Sequence, residues 1–173
     1  MQFLLDGMLG RLTRWLRMIG CDACYYKGSP DADLLQRAKE DSLVLLTCDL
    51  QLYRTAIARH VECFLVEGTD ETERLANLAA RFNLELKIDT KRSRCPACGS
   101  HLKPAKKEDI ASRIPPATFK LYQSFWVCTK TSCAKVYWQG SHWKRIEETL
   151  ENARLILENR QHEDRERSSI PNP

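Results

Sequence analysis

Nowhere in the chain does an apolar run approach the roughly 18 to 20 residues a membrane-spanning helix requires, and residues 1–20 lack the basic start, apolar block and small-residue cleavage site of an export signal. These two absences point to a cytoplasmic protein, in which clustered cysteines act as metal ligands or free thiols rather than as disulfides. There are eight. No internal repeat is present, which excludes a solenoid. Acidic residues are almost missing from one region: residues 91–145 carry 12 Lys/Arg against 2 Asp/Glu, a net +10, whereas residues 1–90 carry 11 against 14, a net −3. What is present is ordinary for a folded protein, with 43% apolar and 29% charged residues over 173 positions. That is enough for one core and a small appendage, and wholesale disorder is excluded. A mildly acidic module joined to a basic one suits metal chemistry in the first and a polyanion at the second; a merely solvated basic surface is the alternative.

Phe3-Leu4-Leu5 fits a short buried strand ending in Asp6, with Gly7 and Gly10 allowing a sharp turn. Leu9, Leu12, Leu16 and Ile19 then recur at helical spacing, and Gly20 stands where a left-handed cap ends a helix. Arg11, Arg14 and Arg17 form a slowly winding basic ridge beside that stripe. Cys24-Tyr25-Tyr26 fits a second strand, and Asp31 fits the N-cap of a helix carrying Leu34, Leu35 and Ala38. Leu43 to Thr47 is the clearest buried strand and runs into Asp49. Leu52, Ala56 and Ile57 resume helical spacing, Val61 to Val66 fits a strand, and Leu75, Leu78, Ala79 and Phe82 fit a helix. Strand and helix alternate, so the expected fold class is α/β, with a parallel sheet covered on both faces. The pattern breaks near residue 87. Domains are expected at 1–87, 88–145 and a C-terminal helix over 146–158, followed by a disordered tail over 159–173.

Three constellations carry chemistry. Asp6 and Asp49 each follow an apolar strand, so a parallel sheet brings them to one edge, and Asp31 at a helix start, with Asp33 beside it, can face the same crevice. Carboxylates gathered without cations repel, and a hard ion such as Mg²⁺ or Mn²⁺ relieves that repulsion; Asp is equally a common cap and turn residue. Cys95-Pro96-Ala97-Cys98-Gly99, with Cys128 and Cys133, has the spacing of a four-thiolate structural zinc site. Phe125-Trp126 and Tyr137-Trp138-Gln139-Gly140-Ser141-His142-Trp143 interleave with Lys120, Lys130, Lys135, Lys144 and Arg145, a mixture that suits single-stranded nucleic acid, although most of these rings are expected in a small core around the zinc. A further pair, Cys21 and Cys24, follows a helix end, where the dipole disfavours thiolate; these read as ordinary thiols, as do Cys48 and Cys63.

With these residues in view the chain resembles the Mut-seven carboxy-terminal ribonuclease family, PIN-like nucleases with an appended zinc ribbon. The matching segments are FLLDGMLGRLTRWLRMIG from Phe3 to Gly20, Asp31 to Asp49 ending in Leu45-Leu46-Thr47-Cys48-Asp49, the knuckle Arg94-Cys95-Pro96-Ala97-Cys98, and Val136 to Trp143. The resemblance implies a PIN-like α/β/α sandwich followed by a small zinc-ribbon domain, and metal-dependent cleavage of RNA. It assigns Asp6, Asp31 and Asp49 to the catalytic acids, with Asp33 as substitute or assistant, and Cys95, Cys98, Cys128 and Cys133 to structural zinc. A fourth acid is not evident; Asp70 is the nearest candidate. The chain departs from the family at Cys48, where Arg is usual, and in the wider second cysteine pair.

The expected function is therefore a Mg²⁺- or Mn²⁺-dependent ribonuclease whose strand is held by Arg11, Arg14, Arg17, Trp138, His142 and Lys144. The alternative is a non-catalytic RNA- or ribosome-binding adaptor on an inactive PIN-like scaffold. A thiol-redox protein using Cys21 and Cys24 is a third.

Overall fold

Continuous apolar runs at positions 3–5 and 44–46 leave a strand no polar face, so both faces must be covered. A computed structural model of the chain, describing residues 1–28 and 30–168 with side chains to 163, shows how. The chain runs β1 (Gln2–Leu5), α1 (Gly10–Met18), β2 (Asp22–Tyr25), α2 (Asp31–Glu40), β3 (Val44–Thr47), α3 (Leu50–Ala58), β4 (Cys63–Leu65) and α4 (Glu71–Phe82). The four strands are parallel in the order β2-β1-β3-β4, with Leu5 opposite Leu46 and Leu46 opposite Phe64.

The two-residue period of the strands divides the interior. Phe3, Leu5, Val44 and Leu46 point into one cluster with Leu9, Leu12 and Leu16 of α1 and Leu75, Leu78 and Ala79 of α4. Leu4 and Leu45 point the other way, onto Leu34, Leu35 and Ala38 of α2 and Leu52 and Ala56 of α3. This is the α/β/α sandwich expected. Gly20 takes φ +95 just past α1, as its capping role requires, and a Cβ there would press on the backbone of Arg92. Three local expectations are corrected. Pro30, with φ −56 and ψ 145, makes the turn into α2 and holds the N-cap position, so Asp31 is the first helical residue instead of the cap. The fourth strand is shorter than Val61 to Val66 because His60 at φ 56 is still turning the chain. Asp70, the nearest sequence candidate for a fourth acid, caps α4 by accepting from the Glu73 N–H.

Beyond residue 87 the chain forms β5 (Leu102–Ala105), a 3₁₀ turn over Glu108–Arg113, α5 (Pro116–Leu121), β6 (Phe125–Cys128) and β7 (Val136–Trp138), an antiparallel sheet in the order β5-β6-β7. Phe125 and Trp138 sit on its small core with Ile110 and Ile114. The 3₁₀ turn and α5 were not foreseen. The last helix, α6 (Trp143–Ser168), returns to the first unit and buries Leu150 and Ala153 in the α1/α4 cluster. It starts before 146 and continues past 158, where a disordered tail was expected from 159: its charged residues are good helix formers, and low hydrophobicity argues against burial, not against helix. Residues 169–173 of that tail lie outside the described residues. Among the described residues no helix is long and apolar enough to cross a membrane.

Candidate active site and metal centre

The chain leaves β1 for β2 in one direction and β3 for β4 in the other, so the carboxyl ends of β1 and β3 form the switch point at which open parallel sheets bind their ligands. Asp6 and Thr47-Cys48-Asp49 occupy it. Asp6 is 5% exposed and Thr47 is wholly buried. The Thr47 hydroxyl donates to Asp6 Oδ2 and accepts from the Asp49 N–H at 2.9 Å, linking the two acids through one side chain. Asp6 Oδ1 accepts from the Met8 N–H at 2.7 Å. Asp49 caps α3, its Oδ1 accepting from the N–H groups of Gln51 and Leu52 at 2.7 and 3.1 Å. Asp31 and Asp33 stand exposed in the first turn of α2, after β2.

Among the described residues no ion pair reaches Asp6, Asp31, Asp33 or Asp49. A buried carboxylate next to a second one, with no cation, is the donor set that a hard divalent ion fits. The field is felt by Cys48, whose thiol is pushed up first by burial and then by the Asp6 charge, against Arg74. It is therefore a neutral side chain beside the acids. The acids are not drawn into a tight knot, however: among the described residues, the four cysteines alone place three or more potential ligand atoms within 4.8 Å of one another. Thr47 joins the Asp6 carboxylate to the Asp49 backbone N–H, while Asp31 and Asp33 stand exposed on α2.

In that cysteine set, Cys95 and Cys98 lie on the knuckle, Cys128 ends β6 and Cys133 lies in the loop before β7. Their sulfurs stand 3.7 Å (Cys95 to Cys133) and 3.4 Å (Cys98 to Cys128) apart. Tetrahedral zinc with Zn–S near 2.3 Å requires roughly 3.8 Å, so the donors fit the ion. Gly99 closes the knuckle at φ +80, which a side chain would resist. Burial pushes the Cys128 thiol up to about 12, whereas Cys98 comes down to about 6: burial opposes ionisation there too, but hydrogen bonds from Ser100 and its neighbouring thiols outweigh it. One thiol ionises early and another is held back, which a cation among them would correct.

The other expected contacts divide. Arg11 and Arg14 are exposed. Arg17 is 6% exposed, and its guanidinium donates to Ala23 O at 2.8 Å and to Pro96 O and Ala97 O at 3.1 Å each. It clamps the knuckle to α1. With Arg94 paired to Asp22 at 3.2 Å and the Ser93 hydroxyl donating to Met18 O at 2.6 Å, it fixes the small sheet against the large one. His142 and Lys144 are exposed, Lys144 facing Glu148; Trp138 belongs half to the small core. Cys21 and Cys24 pack against opposite faces of the sheet, one with each cluster, and so do not form a dithiol.

Two residues at the acidic edge escaped sequence reasoning. Thr47 read as the last residue of a strand, and nothing in its type marks it as the bridge. Glu71 opens α4, next to Arg74 at 3.3 Å, with one buried oxygen that no group among the described residues satisfies; burial raises its pKa although Arg74 and Arg11 oppose the shift. Its signal was the Asp70-Glu71 pair after an apolar strand. Comparison with known families finds that the Mut7-C RNAse domain model matches residues 1–150. No curated protein and no solved structure matches the chain.

Proposed function

We propose, on the premise that the chain belongs to the Mut7-C RNAse domain family, that it is a metal-dependent ribonuclease which hydrolyses RNA phosphodiester bonds at the Asp6/Asp49 edge. The observation that carries this reading is the Thr47 bridge, which joins the buried Asp6 carboxylate, without an ion pair among the described residues, to the backbone N–H of Asp49 at the switch point of a parallel sheet. Asp6 and Asp49 are the residues to hold Mg²⁺ or Mn²⁺, with Asp31 and Asp33 approaching from the rim. Such an ion lowers the pKa of water and stabilises charge on phosphate. The chain's own part is positioning. Thr47 and the Met8 N–H fix the Asp6 carboxylate, and the α3 N–H groups hold Asp49 Oδ1, with no hydrogen bond to Oδ2 among the described residues. The four cysteines hold structural zinc, which keeps the basic unit folded and presented to RNA.

Purified protein should cleave labelled single-stranded RNA with Mn²⁺ and not without it. Cleavage that survives Asp6→Asn combined with Asp49→Asn would sink the assignment. The spread of the acids favours a second reading, an adaptor on an inactive scaffold, and that protein would bind RNA with strong salt dependence and never cut it.

A further inference from the structure

Between α1 and the knuckle lies a cleft of about 660 Å³ whose charged lining is entirely cationic: Arg11, Arg14, Arg17, Lys27 and Lys135. Arg17 is taken up by carbonyls, which leaves four cations offered to solvent, contributed by both units of the protein. The cleft begins at the acidic edge, because Gly10 and Arg11 open α1 straight after the Asp6 turn, and the Tyr25 hydroxyl that walls it donates to Gly7 O at 3.0 Å. At its far side Pro96 and Tyr137 form a partition shared with a second cavity, of about 120 Å³. That cavity is apolar and aromatic, lined by Trp126, Trp138, Trp143, Ile88 and Ile146. A cavity of roughly 150 Å³ accepts one benzene ring, so this open-mouthed one is on the scale of one flat heterocycle. Trp126 and Tyr137 are cross-strand neighbours on β6 and β7, and none of the three apolar clusters of described residues takes in Trp126, Tyr137 or Trp143. Their rings are half-buried but are not core.

A row of cations leading to an aromatic slot matches a strand whose phosphates run along the first and whose base enters the second; a duplex presents the phosphates and hides the bases. We infer that this junction is a single-strand track. Backbone phosphates lie along Arg11, Arg14, Lys27 and Lys135, one unstacked base enters against Trp126, and the partition at Tyr137 separates sugar-phosphate from base. The inference rests on the ribonuclease reading for the identity of the polyanion, but binding is measured apart from cleavage.

The test uses the full zinc-loaded chain carrying Asp6→Asn, with fluorescent oligo(A) and the same strand paired to oligo(U). Oligo(A) should bind at least about tenfold more tightly than the duplex and quench tryptophan fluorescence. Arg14→Gln and Lys135→Gln should each reduce the slope of log affinity against log salt by roughly 0.7. Trp126→Leu should weaken oligo(A) about tenfold, abolish most of the quench and leave that slope unchanged. Should Trp126→Leu fail to fold, the two exposed cation variants still decide. Equal or tighter duplex binding, or salt slopes unmoved by both cation changes, would overturn the track. A chain with Asp6 intact that binds as described and never cuts with Mn²⁺ would instead remove the ribonuclease reading and leave the track standing.

Discussion

Thr47 shows how much one hydroxyl decides. It is enclosed completely and serves Asp6 and Asp49 together, so Thr47→Val, nearly the same shape, leaves a carboxylate oxygen and an N–H without their partner. That change should cost about 1 to 3 kcal/mol in urea unfolding and slow Mn²⁺-dependent cleavage by roughly ten- to a hundredfold. Glu71 is strained electrostatically instead. Burial raises its pKa in the folded chain, so its contribution favours folding at acid pH and is lost as pH rises through the folded value. Glu71→Gln should therefore raise the melting temperature near about pH 7 and give no gain near about pH 4. Sequence disclosed the acids because each follows an apolar run, yet not the bridge between them, since a threonine ending a strand looks the same whatever it touches. Arg17 misled for a geometric reason. Steps of three residues fall short of a 3.6-residue turn by about 60° each, so from Arg11 to Arg17 the ridge winds about 120° round the helix, from one flank of the Leu12 and Leu16 stripe to the other, where the carbonyls of Pro96 and Ala97 meet it.

Among the elements, β1, β3 and the helices α1 to α4 were legible because their apolar residues keep one period over their whole length. The 3₁₀ turn and α5 were not, being short and held by a handful of contacts around Ile110, Ile114 and Phe125. Nor did periodicity reveal where α6 docks: Ile146, Leu150, Ala153 and Leu157 announce an apolar face but not its partner. That partner is the α1/α4 cluster, so α6 contributes to the stability of the first unit although it follows the second. Leu150→Ala should then cost about 3 kcal/mol, seen as a lower thermal midpoint for the α/β sheet as well as for the helix, whereas a loosely attached helix would melt alone.

For the whole molecule, Asp6 and Asp49 lie at one edge of the parallel sheet and the four thiols in the second unit, while the cleft between α1 and the knuckle takes cations from both units. Zinc held by these four cysteines would require thiolates, so protons would compete with it, and the stability it lent would be present at neutral and alkaline pH and lost as pH falls. Acidification or a chelator should release the metal and unfold β5 to β7 while the parallel sheet persists; loss of near-UV tryptophan signal ahead of far-UV helical signal is the measurement. The Arg17 clamp has a consequence of its own. What it grips at positions 96 and 97 are peptide oxygens, which every amino acid supplies, so the docking of one half on the other is blind to the side chains there. Substitution at those two places is then free to reshape the surface that meets a nucleic acid while the alignment of the halves stays as it was.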